Sequence, residues 1–140
     1  MNAKDFLIRP AQLKCNIDML KDTITILECQ AENITAVLSP VPGGKGQNKD
    51  FSAAVDRKVD LKKKLAQMNL EWTNAIIEVE TVIERIPCIR ERPILHMQYL
   101  ENKTLKQIAV ELGYSYQNTR DLHSKGVKEV QEIINKKEEQ

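Results

Sequence analysis

The sequence has few aromatic residues, few glycines and little net charge. Aromatics make up 4% of the 140 residues, there are five glycines, and the formal charge at pH 7 is +1. A protein that coats nucleic acid along its whole surface is strongly basic, so any DNA contact here must come from a local patch. Few aromatics and glycines beside abundant leucine, isoleucine, lysine and glutamate are typical of helix-rich chains and predict an all-α fold.

The three cysteines, Cys15, Cys29 and Cys88, are an odd number and have no CxxC spacing. They indicate neither a disulfide framework nor a zinc site, and they fit the reduced cytoplasm. His96 and His123 stand at no spacing that fixes two metal ligands on one helix face. Because no pairing of a nucleophile with a base stands out either, we expect no metal, no cofactor and no enzymatic activity.

Long apolar runs are also missing from the sequence. No stretch is apolar for the length that a membrane-spanning helix needs, and the start MNAKDFLIRP lacks the apolar core of a signal peptide. The sequence therefore predicts neither a membrane span nor a signal peptide.

Two long heptad seams occupy the first part of the chain. In each seam the apolar positions alternate steps of four and three residues, as on helices that pair along one face. The first seam comprises Leu13, Ile17, Leu20, Ile24, Leu27, Ala31, Ile34 and Leu38, and the second comprises Leu61, Leu65, Met68, Trp72, Ala75, Val79, Val82 and Ile86. Pro10 stands just before the first seam, where an opening helical turn tolerates proline, and Pro40 and Pro87 follow the seams, where proline stops a helix.

The connection between the seams, residues 39–50, contains two prolines and three glycines and predicts a flexible tip. Two heptad helices joined in this way most simply fold into a long antiparallel, coiled-coil-like hairpin over residues 1–86. Pairing between chains is the alternative. Ile76, Ile77 and Ile83 lie beside the second seam, which indicates that the C-terminal module or a second subunit also packs there.

A C-terminal module is expected over residues 87–140. A short helix near residues 90–100 offers Ile94, Leu95 and Tyr99 for burial, and a polar turn follows it. Residues 104–128 then have the sequence pattern of a helix-turn-helix. Its features are Thr104 as N-cap, Leu105, Ile108, Ala109 and Leu112 on one face, Gly113 leaving the first helix, and Ser115 capping the second.

The second helix of this pair carries the residue types that bind DNA. Thr119, Leu122, Gly126 and Val127 can face inward, which leaves polar residues toward solvent or a groove. Glutamine and asparagine pair with adenine, arginine pairs with guanine, and lysine meets phosphate. The candidate DNA contacts are Ser115, Tyr116, Gln117, Asn118, Arg120 and Lys125. The alternative interpretation is a solvated surface helix of a small bundle.

The stretch ILHMQYLENKTLKQIAVELGYS, residues 94–115, resembles region four of bacterial sigma factors. With the hairpin ahead of it, the chain resembles small phage-encoded regulators of the ArpU and RinA type, which activate late genes. The resemblance implies that residues 115–128 enter the major groove, that Tyr116, Gln117, Asn118 and Arg120 are DNA contacts, and that Lys125 lies on the phosphate side. The sequence departs from the sigma pattern at Thr119 and His123, where branched aliphatic residues are common, and at Gly126, where alanine is usual. A glycine weakens a helix by up to about 1 kcal/mol relative to alanine.

Three functions are compatible with these features. The first is a sequence-specific transcriptional regulator of phage or prophage late genes. It would bind double-stranded DNA as a homo-oligomer, with a dimer favoured, and RNA polymerase would be a further candidate partner. The second is a DNA-packaging component that resembles a small terminase subunit and assembles into a ring. The third is a coiled-coil protein-interaction module without DNA contact, which the near-neutral charge would allow.

Overall fold

A computed structural model describes residues 2–38 and 47–139 of the chain, with side chains described for residues 2–30, 53 and 55–139. Every element in these ranges is helical, which confirms the all-α prediction. The elements are α1 (Ala3–Leu38), α2 (Gln47–Glu84), α3 (Glu91–Leu95), a π-helical segment (His96–Leu100), α4 (Leu105–Leu112) and α5 (Tyr116–Glu139). None of the helices in the described ranges is long and apolar enough to cross a membrane.

Both long helices begin earlier than the seams predicted. α1 starts at Ala3, so Pro10 lies inside the helix instead of in its first turn. The helix extends upstream because Ala3, Phe6 and Leu7 are buried apolar residues at helical spacing. α2 starts at Gln47 and includes residues 47–50 of the predicted connection. The rest of that connection, residues 39–46, lies outside the described residues, as do the side chains of the last three residues of the first seam.

The chain forms two compact units, one of Lys14–Glu71 and one of Met1–Leu13 with Trp72–Gln140. The predicted boundary between residues 86 and 87 follows the order of the chain, whereas the second of these units is built from both sides of it. The reason is that the first turns of α1 and the last turns of α2 contribute to the same hydrophobic core as the C-terminal helices.

Within the unit Lys14–Glu71, α1 and α2 run antiparallel. Glu28 of α1 lies 3.2 Å from Lys58 and 3.7 Å from Lys62 of α2. Ile24, one turn earlier in α1, lines a groove with Leu65, which is later in α2. Because positions advance along α1 as they recede along α2, the hairpin prediction is confirmed for the described residues. These partly exposed ion pairs add little stability, since solvent-screened pairs contribute at most about 1 kcal/mol.

The other unit has a hydrophobic core to which α1, α2, α3, the π-helical segment and α5 all contribute. Its buried members are Ala3, Phe6, Leu7, Val79, Val82, Ile83, Ile86, Leu95, Tyr99, Val130 and Ile134. Full burial of one large aliphatic side chain contributes roughly 1.5–3 kcal/mol, so this cluster is the main source of the unit's stability. It also shows what packs beside the second seam: α5 shares this core with Ile83, whereas Ile77 stays exposed.

Two hydrogen bonds fix helix ends in this unit. The backbone N–H of Ala3 donates to Oε1 of Gln131 in α5 at 2.7 Å, which satisfies one of the unpaired N–H groups at the start of α1. Nε of Arg92 in α3 donates to the carbonyl of Ile86 at 2.6 Å, just beyond the end of α2. The start of α1, the end of α2 and the C-terminal helices are therefore joined by polar contacts as well as by the core.

Candidate nucleic-acid interface

The turn that leads into α4 has a defined backbone. The N–H of Glu101 donates to the carbonyl of His96 at 3.2 Å, and the N–H of Lys103 donates to that of Met97 at 3.0 Å. Asn102 between them has φ of 59°, a left-handed conformation that asparagine tolerates better than most residues. Nζ of Lys103 then reaches the carboxylate of Glu111 at 2.9 Å, which ties the turn to the far end of α4.

A capping box starts α4 at the predicted residue. Oγ1 of Thr104 accepts from the backbone N–H of Gln107 at 3.2 Å, and the N–H of Thr104 donates to Oε1 of Gln107 at 3.0 Å. Two backbone donors that the helix itself cannot pair are thereby satisfied. The Thr104 cap is confirmed, and it sets where the first helix of the helix-turn-helix begins.

Gly113 ends α4 as the sequence predicted. Its φ of 71° is left-handed, and the N–H of Tyr114 donates to the carbonyl of Ala109 at 3.0 Å. This pattern closes the last turn of a helix and reverses the chain, and a side chain at the left-handed position costs roughly 1–2 kcal/mol. The glycine therefore sets the tight turn between α4 and α5.

Ser115 caps α5. Its Oγ accepts from the N–H of Asn118 at 3.1 Å, and its carbonyl accepts from both the N–H and the Oγ1 of Thr119 at 3.0 Å. Thr119 is fully buried, together with Ile108 and Ala109 of α4. The departure from the aliphatic residue of the sigma pattern is thus accommodated, because the threonine hydroxyl satisfies its hydrogen bond locally.

Gly126 marks a close approach of α3 to α5. A Cβ added at this position would lie 2.9 Å from Cδ1 and 3.2 Å from Cγ of Leu95, which is itself completely buried. The glycine does not shorten α5, since the helix continues to Glu139. Its cost in helix propensity is offset by the packing that the missing side chain allows.

His123 stacks on Tyr99. Their ring centroids are 5.7 Å apart, and the Tyr99 hydroxyl lies 2.7 Å from Nε2 of His123. Burial raises the pKa of Tyr99, whereas burial, with a smaller effect of the Lys4 charge, lowers the pKa of His123. A histidine therefore joins the π-helical segment to α5 where the sigma pattern has an aliphatic residue.

This histidine makes stability depend on pH. Because its pKa is lowered on folding, its contribution is complete above the unfolded value of about 6.5 and is lost as the pH falls through the folded value. We expect the free energy of unfolding from urea titrations to fall between pH 7.5 and pH 5. His123→Gln keeps a partner for Tyr99 and should flatten that part of the profile. A profile as steep as that of the parent protein would contradict this assignment.

The six candidate DNA contacts are all exposed, at the cap of α5 and along its first three turns. Ser115 is the exposed cap, and Tyr116, Gln117, Asn118, Arg120 and Lys125 are exposed along the following turns. Tyr116 also borders a groove with Leu105 and Tyr99. Neither Gln117 nor Arg120 has a side-chain hydrogen bond or ion pair among the described residues.

The first turns of α4 and α5 contain no acidic residue, whereas α1 and α3 each have one there. The N-terminus of a helix carries a partial positive charge and unpaired N–H groups, which attract phosphate. Because neither helix has a carboxylate in its first turn, the partial positive charge at both ends is not reduced from within the helix. Lys128 is exposed three residues after Lys125 and is a further cation on this helix, which the sequence analysis did not include among the candidate contacts.

Glu91 is a buried carboxylate that the sequence did not single out. It is 5% exposed, and its Oε2 has no hydrogen-bond partner in the part of the chain that the structure describes. Burial and the neighbouring Glu129 raise its pKa, while Lys125 and a hydrogen bond from Cys88 act in the opposite direction. The charge of Lys125 therefore stabilises the ionised form of a buried carboxylate, although the Lys125 side chain is itself exposed to solvent. No short-range pattern marks Glu91, because its burial comes from α5 packing on α3.

Replacing this carboxylate with a neutral amide should stabilise the protein. Since the pKa of Glu91 is raised on folding, its favourable contribution is complete below about pH 4.5 and is lost as the pH rises through the folded value. We expect Glu91→Gln to raise the free energy of unfolding by about 1 kcal/mol at pH 7, with the gain vanishing toward pH 4. The exposed Glu132→Gln serves as the matched control, and an equal gain in both variants would contradict the explanation.

Within the described ranges, no group of three or more His, Cys, Asp or Glu side chains is placed to hold a metal ion. Cys15 and Cys29 are exposed and Cys88 is half-buried, and all three are free thiols.

Residues 89–132 match the family model described as Sigma-70, region 4. The match covers roughly a third of the chain and spans α3, the π-helical segment, α4 and the first two thirds of α5. No curated protein and no solved structure matches the chain. The caps, the left-handed glycine and the family match together identify these residues as a sigma region-four-like helix-turn-helix, which supports a DNA-binding regulator.

Proposed function

We propose that the protein is a sequence-specific, non-enzymatic transcriptional regulator that places the start of α5 in the major groove of double-stranded DNA. The observation that carries the proposal is the exposed row of base-pairing and phosphate-binding side chains directly after the capped turn. In this arrangement Gln117, Asn118 and Arg120 contact bases, and Ser115 and Lys125 contact the backbone. Tyr116 lies at the rim, where its ring can contact sugar or a base edge.

The genes it controls, on this proposal, are phage or prophage late genes in the bacterial cytoplasm. Support comes from the resemblance to regulators of the ArpU and RinA type and from the sigma region-four-like module at residues 89–132. RNA polymerase is the further partner that this setting suggests. Self-association, with a dimer favoured, would place two modules on one site with repeated or palindromic half-sites.

Selection from random duplexes tests the proposal. The purified chain is mixed with a pool of random double-stranded DNA at two salt concentrations, and the retained DNA is sequenced. We expect a recovered motif at both concentrations, since base contacts persist when phosphate contacts weaken. Weak, salt-sensitive retention without a motif would replace the proposal with a packaging role, and no retention at either salt would favour a protein-interaction module.

The small number of cations along the start of α5 predicts a shallow salt dependence of DNA binding. The logarithm of the binding constant falls with the logarithm of salt concentration by about 0.9 for each neutralised phosphate. With Arg120, Lys125 and Lys128 as the cations facing the DNA, we expect a slope of about −2 to −4 per subunit on the selected site. Titration over a fourfold range of salt measures it, and a slope steeper than about −7 would show that a larger basic surface binds.

A further inference from the structure

The side of α1 that faces away from α2 carries a second heptad row. Its members Cys15, Met19, Asp22, Ile26 and Cys29 alternate steps of four and three residues and are all exposed. Met19 is 63% and Ile26 is 57% exposed. Each member follows a residue of the first seam by two positions, which is about 200° around the helix. This part of α1 is therefore apolar on two opposite sides, with one acidic residue in the middle of the outer side.

α2 carries a matching row on its own outer side. Val59, Lys63, Ala66 and Leu70 have the same alternating spacing, and each precedes a residue of the second seam by two positions. Leu70 is 62% and Val59 is 46% exposed. The two outer rows thus lie on opposite edges of the antiparallel hairpin. The outer row of α2 has one basic residue where the outer row of α1 has one acidic residue.

The two rows are complementary when they are aligned antiparallel. Setting Asp22 opposite Lys63 places Met19 opposite Ala66, because both lie three residues away in opposite directions. The same alignment pairs Ile26 with Val59 and Cys15 with Leu70. Three apolar pairs and one pair of opposite charge result, whereas Cys29, the fifth member on α1, falls opposite Asp56, beyond the outer row of α2.

Pairing a row with its own copy in register does not give this match. It sets Asp22 against Asp22, or Lys63 against Lys63, and a like-charge pair in an apolar seam is unfavourable. Neither side chain has an ion-pair partner among the described residues of its own chain. A single charged position in a heptad seam is also what sets register and partner in helical assemblies.

We propose that α1 of one copy packs antiparallel on α2 of a second copy through these two outer rows. The contact joins two different surfaces. In a pair of copies, the outer row of α2 on the first copy and the outer row of α1 on the second therefore stay free to bind further copies. Such contacts close into rings of three or more or continue as open chains. The proposal extends the self-association named above beyond two copies, and it needs neither DNA nor any residue of the candidate DNA interface.

Charge reversal with compensation tests the contact. The association of the parent chain is measured by sedimentation over a wide range of concentration, beside Asp22→Lys, Lys63→Glu and the double variant. We expect each single reversal to weaken association at least 10-fold and the double variant to return within about threefold of the parent. Lys64→Glu, adjacent in sequence but off the outer row, should leave association unchanged. A parent chain that stays monomeric, or a double variant as weak as the singles, would overturn the proposal.

A disulfide cross-link tests the register independently. Leu70→Cys places a thiol opposite Cys15 of the next copy, while the two positions of one chain lie on opposite edges of the hairpin. We expect mild oxidation to give a ladder of linked chains on a non-reducing gel. Adding Cys15→Ser should remove the ladder although Cys29 remains, and a ladder that persists would overturn the register. Binding of these variants to a selected duplex is measured separately, so loss of DNA binding and loss of this contact are told apart.

Discussion

Replacement of Gly126 by leucine is expected to lower the free energy of unfolding by at least about 3 kcal/mol. The first added carbon already falls 2.9 Å from Leu95, which is completely buried and cannot withdraw into solvent. Overpacking by a few methylene groups costs roughly 1–3 kcal/mol, and a whole leucine side chain exceeds the room available. Urea unfolding followed by circular dichroism measures the loss. The exposed Ser124→Leu, on the same helix, should change stability by no more than about 0.5 kcal/mol.

The direction of the stability change on a smaller substitution shows why glycine is required at position 126. Gly126→Ala should destabilise the parent protein by about 1 kcal/mol, because the clash with Leu95 outweighs the gain in helix propensity. In a Leu95→Ala background the clash is gone, and the same substitution should stabilise by up to about 1 kcal/mol. If Gly126→Ala had the same sign in both backgrounds, the close approach of α3 to α5 would not be what requires glycine.

Loss of one base contact is expected to have the second large effect. Arg120→Ala and Asn118→Ala should each weaken binding to a selected duplex by roughly 1–3 kcal/mol, about 5- to 150-fold, and relax specificity at one position. Their effect on binding to unrelated DNA should be much smaller. Competition assays with selected and scrambled duplexes measure both quantities.

Two control variants separate base contact from general charge. Lys125→Ala should weaken binding to selected and scrambled duplexes about equally, since a phosphate contact carries no sequence information. Lys137→Ala, exposed near the end of α5, should change neither. If Arg120→Ala and Lys137→Ala behaved alike, the start of α5 would not be the recognition surface.

The parts of the fold that the sequence predicted are those that neighbouring residues determine. Thr104, Gly113 and Ser115 occupy positions whose backbone conformation or unpaired N–H groups favour those residue types, so the turn could be located without the rest of the chain. The alternation of four and three residues likewise predicted the antiparallel hairpin. These signals lie within one or two helical turns of the feature that they specify.

The parts that the sequence did not predict depend on residues far apart in the chain. α1 begins ahead of Pro10 because Phe6 and Leu7 pack in a core completed by α5, more than a hundred residues later. The burial of Glu91 and the contact of Gly126 with Leu95 arise where α3 meets α5, and no local spacing marks either. The departure from the sigma pattern marked Gly126 in the sequence, yet the physical reason for the glycine needed the partner helix.

The candidate DNA contacts could be predicted from the sequence only in part: their exposure is a local property, whereas their roles are not. Capping and periodicity predicted that Gln117, Asn118 and Arg120 are exposed, and the structure places them there. Which of them touches a base depends on the DNA, so the assignment of roles stays a prediction. Lys125 illustrates the difficulty, because its charge also acts on the buried Glu91.

Photochemical cross-linking tests the central claim most directly. The chain is bound to a selected duplex that carries a photoreactive base within the recovered motif, irradiated and digested with trypsin, and the linked peptides are identified by mass spectrometry. We expect cross-links within residues 107–125, which comprise most of α4, the turn after it and the first three turns of α5. Cross-links confined to residues 14–71 would contradict the account, because the helical hairpin, and not the helix-turn-helix, would then bind the DNA.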